Sequence, residues 1–593
     1  MKDTEPKASF ISQLRSLPPN FWFANFMEML ERLAYFGVRA VAPLYLVKEA
    51  YDGGLGLTQT QKGDIFAIWA VVQCLVPMVS GGYAERYGYR KSLVVAFLIN
   101  IVGYLAMANS AGIAASLTAS GWENANYWVF LAAACLVGLG TAIFKPPVHG
   151  TVAKTTDANT SSLGWGTFYW VVNIGGALAP MCAAQLRGET DWERVFYAAA
   201  IVTVCNFVPL FLLYKEPEKA PPAEGEAEKG PFGTFVASLV TIFKDPRLVA
   251  FLAIFSCFWL MFMQLWDLLP NFLDEWVDSS DLAGLFGAVS SGWVLESGQV
   301  KPEMIININP MSIILLVIGV SWVIRKLNKI VAMVVGMLIA LVGFVGAGST
   351  QMGLFCALMI LVFSIGEMAC SPTFSAYIGL IAPKDKKALY MGYSNIPFAI
   401  GWFLGNAIGG RLYDALANKL HLARQFMVDH LGLSPQFATN EELLPAPEVM
   451  QTMAHLQKGA DPAALEASVR ASWQAVQWAG MAGEEKAARV HEIYTQALGQ
   501  VDPAAVQIAT RTLWDTYHPY MVWIYLGLMG LAGIVGMIVF YFATRKALAQ
   551  EAEAEEAAQQ AAEAEAAAQQ AAEGENAGED GTPAADGSAP PEA

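Results

Sequence analysis

Four ionised side chains, Glu28, Glu31, Arg32 and Arg39, lie inside Phe21 to Leu46, a stretch otherwise long and apolar enough to cross a bilayer. A crossing needs roughly 20 mostly apolar residues, and one charge at its middle costs roughly 2.5–3.5 kcal/mol on insertion scales. At about 100° per residue, Glu28, Glu31, Arg32, Tyr35 and Arg39 share one helical face about 100° wide. Phe26, Leu30, Leu33 and Val41 take the opposite face. The charged stripe must therefore turn toward a protein interior or a water-filled cavity. Lys145 and Glu367 interrupt two other apolar runs, so three acids accompany three bases in a nearly neutral set. Arginine does not give up its proton in practice. A carboxyl does, and burial beside another acid favours its protonated form. A glutamate that takes a proton releases its basic partner to hold an anionic group of a ligand, and proton and ligand then bias each other's binding.

Plainer readings stand beside this one. Glu28, Glu31 and Arg32 are also compatible with a structural ion-pair lock, although charges inside a span are functional by default. Lys145 is compatible with snorkelling toward a span end; Pro146 and Pro147 follow it directly. Asn173 suits a bond to a neighbouring helix, and Asn309 a helix cap. Asp267 falls near the outer end of its span, which suggests a solvated or gating group. His149 has no second ligand nearby in the sequence and reads as structural.

The elements that must position these groups are membrane helices. The 593 residues are 55% hydrophobic and 15% charged, against about 25% charged for a soluble domain, and mean hydropathy is +0.40. Twelve apolar spans can be drawn, at 21–47, 62–83, 91–110, 127–147, 162–186, 192–214, 248–273, 309–326, 329–349, 353–382, 389–413 and 517–545. Lys and Arg gather in the even-numbered connections, as in Arg86, Arg90, Lys91 and Arg325, Lys326, Lys329. That places both termini in the cytoplasm of a multi-pass protein, here expected in a bacterial inner membrane.

The expected organisation is a six-helix bundle over 1–215, a cytoplasmic linker at 216–247, spans seven to eleven over 248–415, an extracytoplasmic helical insertion at 416–516, span twelve at 517–547 and a tail at 548–593. Helix starts are marked at Asp461-Pro462 and Asp502-Pro503. The net charge of −16 is largely a tail property, since residues 551–593 hold 12 Asp or Glu and no Lys or Arg. No basic face suggests nucleic acid as a partner. The seven cysteines lie in apolar segments without metal spacing and read as small core residues. The polar N-terminus shows no cleaved signal peptide. No nucleophile–base pair, metal cluster or phosphate loop suggests an enzyme or a bound cofactor.

Read in full, Glu28-Met29-Leu30-Glu31-Arg32-Leu33-Ala34-Tyr35-Phe36-Gly37 resembles the Glu-x-x-Glu-Arg-Phe-x-Tyr-Tyr-Gly motif of the proton-dependent oligopeptide transporter (POT, or PTR) family of the major facilitator superfamily. Phe168-Tyr169-Trp170-Val171-Val172-Asn173-Ile174-Gly175 is similar to its Phe-Tyr-x-x-Ile-Asn-x-Gly signature. Gly138-Leu139-Gly140 with Lys145-Pro146 resembles the fourth-span lysine motif, and Gly81 to Lys91 the superfamily's loop between spans two and three. Gly366-Glu367 with Ser371-Pro372, Phe258-Trp259 with Gln264, and Asn307-Ile308-Asn309-Pro310 are similar to spans ten, seven and eight. The resemblance covers about 20–415 and 517–545.

The resemblance implies an all-α membrane protein with twelve transmembrane helices in two six-helix bundles. It implies proton coupling by Glu28, Glu31, Arg32, Lys145 and Glu367, the protons being the coupling ion. Substrate contacts are implied for Tyr35, Arg39, Lys145, Asn173, Asn309 and Glu367. Trp259 joins them as a candidate whose plainer role is packing. Departures touch the pocket more than the coupling set. Phe36 replaces a tyrosine, Gln73 and Cys74 stand where a tyrosine is expected, Phe262 and Met263 stand where span seven's acid is expected, and Ser394-Asn395 replace a Trp-Phe pair. The expectation is a proton-driven symporter importing di- or tripeptides or related zwitterions. Alternatives are another small organic solute on the same machinery, or a non-transporting membrane sensor. The sequence leaves the oligomeric state open.

Overall fold

The computed structural model describes residues 14–157, 160–217, 245–382, 392–478, 483–499 and 503–545, with a few isolated positions between them. The expected linker and tail lie almost wholly outside these residues, as do Lys384, Lys386, Lys387 and Asp502. Regular structure among the described residues is helical, apart from two isolated bridges, Asp278 with Met352 and Val294 with Val300.

Among the described residues, ten helices are long and apolar enough to cross a membrane. Two more complete the twelve. Pro19–Val47 is 29 residues long, or about 43 Å at 1.5 Å per residue, and is set apart by the charges it buries. Asn395–Leu416 carries Arg411 and Asp414 at its end. Span seven is broken into Pro246–Phe262 and Gln264–Asp267, and Leu269–Trp276 follows beyond its end. Span eight is broken into Pro302–Ile306 and Ile308–Ile324. Two short helices, Ser110–Ala119 and Ser280–Gly287, were not signalled by the pattern of apolar residues.

Local chemistry sets several boundaries. Thr58 and Gln61 form a reciprocal capping box at the start of span two, Gln59–Tyr87. Asp245 caps span seven ahead of Pro246 by accepting from the Arg247 and Leu248 amides. Close helix approaches need glycine. A Cβ on Gly175 of span five, Ser161–Leu186, would meet the Arg32 Cβ and the Met29 carbonyl at 2.8 Å. That explains in packing terms the glycine of the Asn-x-Gly signature. Gly63 of span two would likewise meet the Asn406 carbonyl of span eleven at 2.4 Å.

Spans one to six pack with one another, as do spans seven to eleven, and the two sets meet where span two packs on span eleven and span five on span eight. They are tied at the end that bears the insertion. Lys48 pairs with Asp274 at 2.6 Å, Arg411 with Asp64 at 2.8 Å, and buried Arg187 with Glu303 at 2.6 Å. Asp414 of span eleven accepts from the Gln59 and Thr60 amides that begin span two. The insertion is helical over Lys419–Leu431, Pro435–Ala438, Ala446–Gln457, Pro462–Ala475, Gly483–Leu498 and Pro503–Tyr517. Asp461 caps its fourth helix, as the Asp-Pro pair predicts. Lys419 anchors the insertion by donating from Nζ to the Glu275 carbonyl at 2.7 Å. The chain forms two compact units, Met1–Val535 and Gly536–Ala593; in the second, the described residues are helical to 545.

Candidate functional site

The charged stripe of span one is buried as its periodicity predicts. Glu28, Glu31, Arg32, Tyr35 and Arg39 are each 5% exposed or less, while Phe26 on the far face is 45% exposed. The six charges do not form one set, however. They divide among three centres, and two further buried charges, Asp267 and Lys62, join them.

The first centre lies between spans one and four. Arg32 Nε donates to Glu31 Oε2 at 2.6 Å and reaches Glu28 Oε1 at 3.2 Å. Thr141, on span four (Ala125–Lys154), donates to Glu31 Oε1 at 2.9 Å. Glu28 Oε2 is buried with no hydrogen-bond partner. Lys145 follows Thr141 by one turn, on the same face. No hydrogen bond or ion pair engages its ammonium among the described residues, and it lines a cavity of about 390 Å³ with Gln73, Cys74, Pro77, His149, Asn395 and Phe398. Tyr35 closes the upper side of the centre by donating to Gln73 Oε1 at 2.9 Å.

The second centre joins the two halves. Arg39 pairs with Asp267 of span seven and lies over the Phe66 ring at 4.3 Å and the Trp69 ring at 5.0 Å. Asp267 Oδ2 also accepts from Trp402 Nε1 at 2.5 Å and Asn406 Nδ2 at 2.8 Å. Lys62 donates to the Asp267 carbonyl at 2.9 Å and to Asn271 Oδ1 at 2.6 Å. Of the two expected roles for Asp267, solvated or gating, burial rules out the solvated one. The break of span seven after it folds Leu269–Trp276 over that end, and the carboxylate is 0% exposed. Arg39 draws its counter-charge from this residue and not from the first-span acids. Lys62 and Asn406 were the residues missed, and Asp267 was read without its partners. Asp267 carried a signal, a carboxylate in an apolar span; the choice of partner depended on helix crossings that no local pattern states.

The third centre lies between spans eight and ten. Asn309 Nδ2 donates to Glu367 Oε2 at 2.7 Å and to Ser364 Oγ at 3.0 Å. Asn309 is not a cap, because Asn307 occupies that position.

Asn173 donates within its own helix to the Tyr169 carbonyl at 2.8 Å, rather than to a neighbouring one. Trp259 is 8% exposed, with its ring 4.5 Å from Phe398 and 4.9 Å from Phe262, and it is not among the residues lining the cavity. His149 lines the cavity. The seven cysteines are free. Among the described residues, no group of three or more His, Cys, Asp or Glu could hold a metal ion.

Residues 24–406 match the family model of the Major Facilitator Superfamily. The peptide transporter YePEPT of Yersinia enterocolitica is 23% identical over 65% of this chain and 86% of its own length. The multidrug resistance protein MdtH of Klebsiella pneumoniae is 23% identical over 69% of this chain and 89% of its own. The uncharacterized transporter YclF of Bacillus subtilis is 27% identical over 35% of this chain, and the match spans only 41% of that relative. Among solved structures, the peptide transporter POT in complex with alafosfalin superposes with a TM-score of 0.54 at 20% identity, covering 67% of this chain and 89% of that one. A POT family transporter in complex with 5-aminolevulinic acid gives 0.53 at 18%, covering 69% and 94%.

Proposed function

The chain belongs to the major facilitator superfamily, and from that premise we propose that this multi-pass membrane transporter is of the oligopeptide branch, a proton-driven importer of di- and tripeptides or related zwitterions, a reading supported by its motifs and by its likeness to YePEPT and to the POT structures. One observation carries the reading. Two carboxylates share the Arg32 guanidinium, one of them keeps an orphaned oxygen, and an unpaired Lys145 waits one turn from Thr141 at a cavity. An orphaned buried carboxylate oxygen is costly, and a proton on that carboxyl removes the cost.

In the proposed cycle, protonation of Glu28 or Glu31 leaves Arg32 and Lys145 with spare positive charge for a substrate carboxylate. Glu367, oriented by Asn309, takes the amino group. The two binding groups sit on opposite halves, so a zwitterion of peptide length bridges them. Binding energy then acts on the rocking of the halves around a midplane site. The Arg39–Asp267 pair closes the insertion end while this happens. With Lys and Arg gathered in the even-numbered connections, that closed end faces outward and both termini lie in the cytoplasm.

The test is uptake of Ala-Ala into vesicles holding the purified full-length chain. Accumulation is expected only with an imposed inward proton gradient. Uptake indifferent to that gradient would remove the coupling, and absence of peptide uptake would remove the substrate class. A second reading, a different organic solute on the same machinery, has its own support in the match to MdtH and in the altered positions Phe36, Cys74 and Asn395. A panel of non-peptide solutes in the same vesicles separates the two.

A further inference from the structure

The cavity beside Lys145 has a composition that its proposed role does not use. Its wall carries an ammonium (Lys145), an imidazole (His149), two carboxamides (Gln73, Asn395) and a thiol (Cys74), but no carboxylate. Lys145 and His149 are four residues apart on one helix, so their side chains leave the same face about 5–6 Å apart. The His149 ring is held edge-on by Phe168 at 5.1 Å and by Trp165 at 5.8 Å, both of span five. Neither ring nitrogen has a hydrogen-bond partner among the described residues. A polar ring fixed by aromatic neighbours, with both nitrogens free at a cavity, is positioned to bond something that enters it. Gln73 Oε1 is already occupied by Tyr35 and Asn395 Nδ2 donates to the Gly392 carbonyl at 3.3 Å, so the nitrogen-bearing lining groups without a hydrogen bond among the described residues are those of Lys145 and His149.

We infer that Lys145 and His149, flanked by the Asn395 carboxamide, form the subsite that receives the side chain of a peptide's C-terminal residue and favours an acidic one. The inference rests on the proposed peptide function. A substrate carboxylate held near Arg32 and Lys145 places the adjacent side chain against the wall that continues to His149. A carboxylate there finds the Lys145 ammonium and an imidazole donor on His149. A second ammonium there meets Lys145 and finds no carboxylate among the lining residues, and like charges at this range repel.

The experiment is competition against acid-driven Ala-Ala uptake in vesicles, comparing half-inhibition by Ala-Glu and Ala-Lys. The expected ratio is about tenfold in favour of Ala-Glu for the wild type and about threefold or less for His149→Phe, which correspond to ~1.4 and ~0.7 kcal/mol. His149→Phe keeps the ring between Phe168 and Trp165 and removes both nitrogens. A wild-type protein that takes Ala-Lys as well as Ala-Glu overturns the inference, and so does a preference that His149→Phe leaves unchanged. Absence of any Ala-Ala uptake overturns the peptide function and this inference together. A readout on the unaltered protein guards against a variant that fails to insert. Cys74 lines the same cavity, and Ala-Glu is expected to shield it from alkylation at about tenfold lower concentration than Ala-Lys; equal shielding overturns the subsite.

Discussion

Two arginines stand two turns apart on one helix and meet their acids in opposite ways. Arg39 faces Asp267, whose two oxygens are both occupied, by Arg39, Trp402 and Asn406. Arg32 is shared by Glu28 and Glu31, and Glu28 keeps one oxygen with no partner. Buried polar groups are almost always hydrogen-bonded, so the Asp267 arrangement is that of a latch, stable until broken as a whole. The Glu28 arrangement is that of a group with two nearly balanced states. Arg39 Nη1 is itself buried without a partner, so the contrast lies in the carboxylates: a fully occupied one holds the halves together, and one with an orphaned oxygen marks the part that changes.

Removing charge from the first centre should do the most damage to transport. Lys145→Ala and Glu31→Gln are each expected to lower gradient-driven peptide accumulation by about a hundredfold, or ~2.7 kcal/mol, while the protein still inserts. Uptake initial rates at equal amounts of reconstituted protein check this. Accumulation that survives both changes would make the first centre an ion-pair lock and erase its contrast with the latch.

Breaking the latch should alter conformation before it alters coupling. Losing one partner of a buried pair costs about 3–5 kcal/mol, so Asp267→Ala is expected to shift the protein toward states open at the insertion end. Spin labels at Thr58 and Ala415, both exposed and on opposite halves, should show a longer distance population in the variant. An unchanged distribution would mean that Arg187–Glu303, Lys48–Asp274 and the Asp414 bonds hold the end closed without it.

The sequence carried the face of span one because helical periodicity is local. Glu28, Glu31, Arg32, Tyr35 and Arg39 are all buried on the side that 100° spacing assigns. The twelve spans were legible for the same reason, even for Asn395–Leu416, whose end carries charge. Partners were not legible, because they depend on where helices cross. Nothing near Glu31 points to Thr141, and nothing near Arg39 points to Asp267. Position along a span misled for Asp267, since the break at Leu268 covers it with protein. The charge of Lys145 was readable, but the cavity and the His149 face exist only once spans two, four and eleven converge.

The third centre should tune substrate choice by a smaller amount. Glu367→Gln keeps the bond from Asn309 but removes the charge that would meet a substrate ammonium. The advantage of Ala-Ala over its N-acetylated form is expected to fall about tenfold, or ~1.4 kcal/mol, with both measured as competitors. A drop equal for both forms would point to lost packing rather than lost recognition of the amine.

The smallest effect belongs to the insertion end, where titration should appear as stability and not as transport. Burial pushes the Glu275 carboxyl from its ordinary 4.5 up to about 7, against the Lys419 amide and the Lys419 and Lys48 charges, which pull it down, and with Asp274 pushing it further up. A folded-state value raised for an acid means that the folded protein holds a proton which the unfolded chain has released. The stabilising contribution is thus complete below about 4.5 and is lost as pH rises through about 7. Lys419, lowered by burial to about 8, acts in the opposite sense, adding stability as pH rises above that value. Melting temperatures of the wild type and Glu275→Gln, taken at pH 5 and pH 7.5, isolate the first window. The wild type should lose more stability than the variant across that interval, because glutamine cannot ionise, and Ala-Ala uptake should keep the same pH profile in both. A transport profile that moves with Glu275 would place a proton-exchanging group at the closed end and blur the distinction between the latch and the coupling centre.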